Sequence, residues 1–251
     1  GTLWGWGQGD AGQLGQGNTT NYSSPVQIGA LTNWSEEIGC GGDSTSAIKT
    51  DGTLWSWGQG GQGQLGTGNT NLYSSPVQVG SLTTWSKLAS GIKHSLAITT
   101  DGKLYAWGYN GYGSLGLGNT TSLSSPVQVG ALTTWSKVAC SYYSSLALAT
   151  DGTLWAWGNG ANGQLGQGNT TTYSSPVQVG SLTTWLNVSA GRYHTLATTT
   201  GGKLYAWGYN DHGQLGQGNT TSYSSPVQVG ALTGWSTLAS MSFSRESIVL
   251  F

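Results

Sequence analysis

Short runs of alternating apolar and polar residues, separated by glycine-rich stretches, return along this chain with a period of 50 or 51 residues. One pass of the pattern has four such runs, Thr53 to Gly58, Pro76 to Val79, Trp85 to Ser90 and His94 to Thr99. In the first, Trp55 and Trp57 share one face while Leu54 and Ser56 take the other; in the last, Leu96 and Ile98 alternate with Ala97. A two-residue period over short segments rich in aromatic and β-branched side chains predicts strands. The pair Asp51-Gly52, repeated as Asp101-Gly102 and Asp151-Gly152 and replaced by Gly201-Gly202, predicts a two-residue hairpin turn with positive φ. Four antiparallel strands per repeat describe the blade of a β-propeller.

The repeat fills the chain. Trp6, Trp57, Trp107, Trp157 and Trp207 mark it, as do the only five prolines, Pro25, Pro76, Pro126, Pro176 and Pro226. Self-similarity at this spacing means one supersecondary unit stacked on copies of itself, with a core shared between neighbours. The chain begins with the strand that follows the Asp-Gly turn, Thr2 to Trp6, and stops with the strand that precedes it, Ser247 to Phe251. Pairing these complementary halves would remove both exposed edges. The expected fold is all-β: one domain over residues 1–251, a five-bladed propeller of four-stranded antiparallel blades whose ring is closed by the N- and C-terminal strands. Because residue 1 is Gly, the chain is expected to be processed or part of a larger chain or assembly.

Composition narrows the function. Forty-three glycines oppose a helical array, while 13 Trp and 12 Tyr supply the apolar surface that disordered chains lack. With 8 basic and 9 acidic residues the net charge is −1, which leaves no basic footprint for nucleic acid or anionic lipid. No apolar stretch approaches the ~20 residues that span a bilayer, so neither nucleic acid binding nor membrane insertion is expected. Cys40 and Cys140 hold one repeat position where other repeats have Ser90, Ala190 and Ser240, which reads as a tight buried slot and not as a disulfide.

Catalytic chemistry is not visible. Gly61-Gln62-Gly63-Gln64-Leu65-Gly66 matches a dinucleotide-loop spacing, but no helix-forming segment follows to hold a pyrophosphate. His94, His194 and His212 form no zinc-spaced cluster with cysteine, and carboxylates are too sparse for an acid and base pair. No cofactor, metal or enzymatic activity is expected. The paired aromatics, such as Trp4 with Trp6 and Trp155 with Trp157, and the set Trp34, Trp85, Trp135, Trp185 and Trp235, read as wedge-filling core between blades.

The run LYAWGYNDHGQLGQGNTT with its companion GRYHTLATT resembles the hallmark segments of the regulator of chromosome condensation family, similar to LxxWGxNxxGQLG and GxxHTLAL. The resemblance covers the whole chain and implies a propeller; the family's familiar members carry seven blades. It also implies a structural role for the histidine at positions 94 and 194.

Most of each repeat hardly changes, but two windows do. One follows the Trp-Gly pair: Gln8 to Ala11, Gln59 to Gln62, Tyr109 to Tyr112, Asn159 to Asn162 and Tyr209 to His212. The other joins the third and fourth runs: Asp43 to Thr45, Ile92 to His94, Tyr142 to Ser144, Arg192 to His194 and Phe243 to Arg245. Strand direction puts both at the rim opposite the Asp-Gly turn. The candidate binding residues on that face are Tyr109, Tyr112, Tyr142, Tyr143, Arg192, Tyr193, Tyr209, His212, Phe243 and Arg245, since Tyr and Arg give large contact at modest entropic cost. The expected function is non-catalytic binding or display of a protein partner, at an extracellular or virion surface. The alternative is a lectin holding glycans between blades. Guanine-nucleotide exchange, an activity the resemblance implies, fits less well, because no repeat carries an inserted wedge. A light-sensing dimer also fits poorly, because Arg192 and Arg245 are the only arginines.

Overall fold

The computed structural model describes residues 1–238, Ser247 and the strand Val249–Leu250. It begins with β1 (Trp4–Gly7) and β2 (Tyr22–Gln27), an antiparallel pair. Four antiparallel sheets follow, each with its strands neighbouring in chain order. Blade one holds β3 (Trp34–Cys40), β4 (Ser44–Lys49), β5 (Leu54–Gly58) and β6 (Tyr73–Gln78); blade two holds β7 (Trp85–Ser90), β8 (His94–Thr99), β9 (Leu104–Gly108) and β10 (Leu123–Gln128). Blade three holds β11 (Trp135–Cys140), β12 (Ser144–Ala149), β13 (Leu154–Gly158) and β14 (Tyr173–Gln178); blade four holds β15 (Trp185–Ala190), β16 (His194–Thr199), β17 (Leu204–Gly208) and β18 (Tyr223–Gln228). The two-stranded sheet β19 (Thr237–Leu238) and β20 (Val249–Leu250) ends the chain. Four whole blades and two half-blades have the strand count of five blades.

Each blade is assembled across the boundary of two sequence repeats, its first two strands coming before an Asp-Gly or Gly-Gly turn and its last two after it. The first strands β3, β7, β11, β15 and β19 touch in succession and so gather about a common axis. Lys87 pairs with Glu37 across the first of these junctions, and Lys137 donates to the Leu186 carbonyl at 2.8 Å across the third. Pro76, Pro126, Pro176 and Pro226 sit in the fourth strand of their sheets and Pro25 in β2, each an edge strand where the missing N–H costs no ladder bond to a further strand. These outer strands begin earlier than the sequence pattern predicts, at Tyr73 and not Pro76 in blade one. Tyr73 pairs with Gly58 across a bulge, which extends the ladder into the Tyr-Ser-Ser segment.

The Asp-Gly turn also differs from expectation. Only Gly52 takes positive φ, at 77°, and its N–H bonds the Lys49 carbonyl at 2.9 Å. Asp51 keeps negative φ because its carboxylate accepts from Thr53 N at 3.0 Å and Thr53 Oγ1 at 2.6 Å, closing an Asx-type turn. The connection is a turn followed by a left-handed glycine, and the bond from the Lys49 N–H to the Thr53 carbonyl makes it a three-residue loop where two were expected.

Packing between blades is a repeated wedge. Trp57, Trp107, Trp157 and Trp207 are fully buried, and each indole N–H donates to a carbonyl of the preceding glycine-rich loop: Gln13, Gln64, Ser114 and Gln164, at 2.8 to 2.9 Å. Gly66 lies so close to the Trp107 ring that a Cβ would stand 2.8 Å from Nε1, which fixes glycine there along with its φ of +73°. Trp34, Trp85 and Trp185 meet the wedge rings with centroids 5.9, 6.1 and 6.0 Å apart, as the sequence reading of a structural tryptophan set requires.

The two ends of the chain do not make the expected clasp among the described residues: β1 pairs with β2, and β20 with β19. Trp6, the counterpart of those buried tryptophans, is 59% exposed. Among the described residues, Gly216, the counterpart of Gly66, would meet only Val229 with an added Cβ. Ser247 Oγ nevertheless donates to the Gln214 carbonyl at 2.7 Å, as Thr45, Ser95, Ser145 and Thr195 do to theirs, so the last half-blade keeps the register of the others. Ile248 and Phe251, also assigned to the clasp, lie outside the described residues.

Candidate functional site

In every whole blade the two variable windows are hydrogen-bonded to each other. Backbone N–H groups of Gln59, Tyr109, Asn159 and Tyr209 donate to the carbonyls of Asp43, Lys93, Tyr143 and Tyr193 at 2.7 to 3.0 Å. The glycine ending each strand after the turn makes this possible: at Gly108, φ is +101° and a Cβ would stand 2.5 Å from the Lys93 carbonyl. Both windows therefore share one rim, as strand direction requires.

Across blades two to four the windows carry a continuous chain of tyrosine rings. Tyr112 meets Tyr143 at 4.9 Å between centroids, and Tyr109 meets them at 6.3 and 5.5 Å. Tyr143 stands edge-on to Tyr142 at 4.6 Å, Tyr142 reaches Tyr193 at 5.6 Å, and Tyr193 reaches Tyr209 at 6.3 Å. A backbone bond from Tyr142 N to the Arg192 carbonyl ties the blade-three window to that of blade four. Partial burial, followed by the neighbouring phenols, pushes the Tyr143 hydroxyl above its ordinary pKa, so it stays neutral and able to donate.

Among the described residues Arg192 is the one cation in this chain of rings. Its guanidinium carbon lies 4.8 Å from the Tyr142 centroid and 5.1 Å from that of Tyr193. The Tyr193 phenol, as a hydrogen-bond partner, outweighs burial and together with Tyr142 leaves its pKa raised. Its Nε is buried with no acceptor, and Arg192 joins neither ion pair found among the described residues.

Beside it opens a cavity of about 350 Å³ lined by Asn162, Arg192, Tyr193, His194, Tyr209, His212 and Gln214. The candidate residues thus fall into one surface: Tyr109, Tyr112, Tyr142, Tyr143, Tyr193 and Tyr209 in mutual contact, Arg192 between two of them, and exposed His212 at the cavity. Phe243 and Arg245 lie outside the described residues. Asn162, His194 and Gln214 line the cavity without having been nominated. Asn162 could have been found, because it occupies the repeat position of Tyr112 and His212; Gln214 belongs to the nearly constant GQLG stretch and gave no signal.

The histidines beneath this rim are packed between blades. His94 is buried and its Nε2 lies 3.0 Å from Ser145 Oγ of blade three, while His194 Nε2 lies 3.0 Å from Ser247 Oγ. Burial alone lowers the His94 pKa to about 4, so it is neutral at physiological pH. A Cβ on Gly91 would stand 2.3 Å from the His94 ring, which accounts for glycine before histidine here and at 191, whereas Ser141 accompanies the smaller Ser144 in blade three. Both cysteines are free; Cys140 is buried with its thiol pKa pushed up by desolvation, and Cys40 is exposed. Among the described residues no group of three His, Cys, Asp or Glu side chains is placed to hold a metal ion.

Comparison with known proteins agrees with this architecture. The chain is 38% identical over 81 residues to protein RCC2 of Mus musculus, a match covering 32% of this chain and 16% of that protein. It is 37% identical over 96 residues to the ultraviolet-B receptor UVR8 of Arabidopsis thaliana, covering 37% of this chain and 22% of the receptor. The structure superposes on human WBSCR16 with a TM-score of 0.84 at 24% identity, over 95% of this chain and 65% of that one. On Prp20p of Saccharomyces cerevisiae the TM-score is 0.81 at 22% identity, over 92% and 59%. The chain therefore spans less than two thirds of each of these proteins. Residues 1–248 match the RCC1-like domain, and the protein belongs to that family.

Proposed function

We propose that this chain is a non-catalytic binding propeller that recognises a protein partner through the tyrosine-lined rim of blades two to four. The observation that carries this reading is the unbroken ring contact from Tyr112 to Tyr209, with Arg192 held between Tyr142 and Tyr193. Rigid aromatic side chains around a planar cation are the residue types that anchor protein interfaces. Protein RCC2 and Prp20p are relatives or fold neighbours, and the yeast protein's described binding to Gsp1p and histones supports a binding role for the fold.

The lectin reading asks for equivalent sites between successive blades. The corresponding windows before and within blade one carry Gln8, Asp10, Asp43, Gln59 and Gln62, so the surface is lopsided, and that favours a single protein partner. The low charge and the abundance of Gly, Ser, Thr and Asn support placing the chain at an extracellular or virion surface. Exchange of guanine nucleotides remains the family-based alternative, and it would be read by nucleotide release from small GTPases.

The test is affinity capture from the native source with the full chain, set beside a variant carrying Tyr142→Ala and Tyr143→Ala. A partner retained by the parent and lost by the variant, with both equally folded by circular dichroism, supports the reading. Identical capture by both, or retention only of glycans that compete with free sugar, overturns it.

A further inference from the structure

Arg192 presents an unusual account of hydrogen bonds. A guanidinium offers five N–H donors, and here the rings of Tyr142 and Tyr193 flank it without supplying an acceptor to the buried Nε. A donor left unmet in this way is uncommon in folded proteins. The side chain forms neither of the two ion pairs among the described residues, and no carboxylate is found among the described residues that line the adjoining cavity. Asp211, the nearest acid in sequence, accepts from the Tyr209 phenol. The cation thus sits between two tyrosine rings, at a cavity of about 350 Å³, with no carboxylate partner among the described residues.

Resting on the protein-binding reading above, we propose that this cavity reads a carboxylate: an Asp or Glu side chain of the partner enters beside Tyr209 and His212 and takes the edge of the Arg192 guanidinium. The neighbouring tyrosine rings hold the residues that flank that acid. The chemistry is complementary in charge and in shape, because a planar fork flanked by two rings meets the two oxygens of a carboxylate. Asn162 and Gln214 add amide groups to the wall, suited to the backbone on either side of the acid. The cavity has room for one or two side chains of a peptide, and the tyrosine chain leading from it supplies an extended track.

The experiment uses the full chain against an array of blocked peptides with random flanking positions around a central Glu, a matched array with central Gln, and sialyllactose as a carboxylate from a non-protein source. Glu peptides are expected to bind at least tenfold more tightly than their Gln twins, a preference lost in Arg192→Gln and reduced in Arg192→Lys, which keeps the charge without the planar fork. Thermal melts of both variants check that the fold persists. Equal binding of Glu and Gln peptides, preference for sialyllactose over every peptide, or a Glu preference that survives Arg192→Gln would each overturn the proposal. Should the captured partner be lost on Tyr142→Ala and Tyr143→Ala but kept on Arg192→Gln, the protein-binding reading stands and the carboxylate pocket falls.

Discussion

Trp6 and Trp107 occupy the same place in the same repeated sentence, yet one is 59% exposed and the other fully buried. The difference lies in what stands in front of each. Trp107 is covered by the glycine-rich loop of the preceding blade, with Gln64 accepting from its indole and Gly66 against its ring, whereas among the described strands β1 pairs with β2 alone. The same contrast runs through the leading edge: Ile38 is 43% exposed where Leu88 is 9%, and Cys40 is exposed where Cys140 is buried under the Ala89 carbonyl of blade two. A blade's interior is therefore a property of the pair of blades, and a residue's burial is set by its neighbour more than by its own segment. Such nearest-neighbour energetics are what repeat architectures predict.

The largest test of this contrast is truncation of the two tryptophans. Trp107→Ala should destabilise the protein by about 3–5 kcal/mol, the range for emptying a packed aromatic site, while Trp6→Ala should cost under about 1 kcal/mol, both read by urea unfolding. If Trp6→Ala proved as damaging as Trp107→Ala, β1 would be covered in solution and the terminal wedge closed. A pH titration comes next in size. His94 has its folded pKa lowered from 6.5 to about 4 by burial, so the unfolded chain binds a proton in that interval and the folded one does not. Its contribution is present above about pH 6.5 and is lost as pH falls towards 4, by about 3 kcal/mol in all, with no further loss from this group below that. His94→Ser should flatten that part of the stability profile, and an unchanged slope would show that the junction of blades two and three is open to protons. The smallest effect is chemical and leaves stability untouched: iodoacetamide at neutral pH should label Cys40 and spare Cys140 until the chain is unfolded, as read by peptide mass. Equal labelling would erase the difference between leading edge and interior.

How much of this was legible beforehand follows the same divide. Strand positions, the Asp-Gly connections and the wedge tryptophans could be read because each is dictated within one repeat, by alternation, turn chemistry and side-chain volume. The start of β6 at Tyr73 was missed because a bulge at Gly58 lets the ladder continue past the point where alternation ends. The positive φ at Gly52 was legible, but the loop is one residue longer than read, because the Lys49 N–H bonds the Thr53 carbonyl and encloses residues 50–52. Whether Thr2 to Trp6 meets Ser247 to Phe251 depends on the sum of small rotations between successive blades, which no local pattern encodes. The gathering of Tyr109, Tyr142, Tyr143 and Tyr193 on one rim was legible from strand direction. Their ring-to-ring contacts, and the stacking of Arg192 between two of them, depend on how far apart adjacent blades stand.

The half-repeat offset between sequence and sheet bears on how such a chain can change in length. A sheet takes β3 and β4 from one copy of the sentence and β5 and β6 from the next, so every seam between copies falls inside a hydrogen-bonded ladder. Gain or loss of one whole copy by recombination then joins two compatible half-sheets across a familiar turn and never strands an unpaired one. The number of blades can drift over generations while each intermediate length still presents properly paired interior sheets.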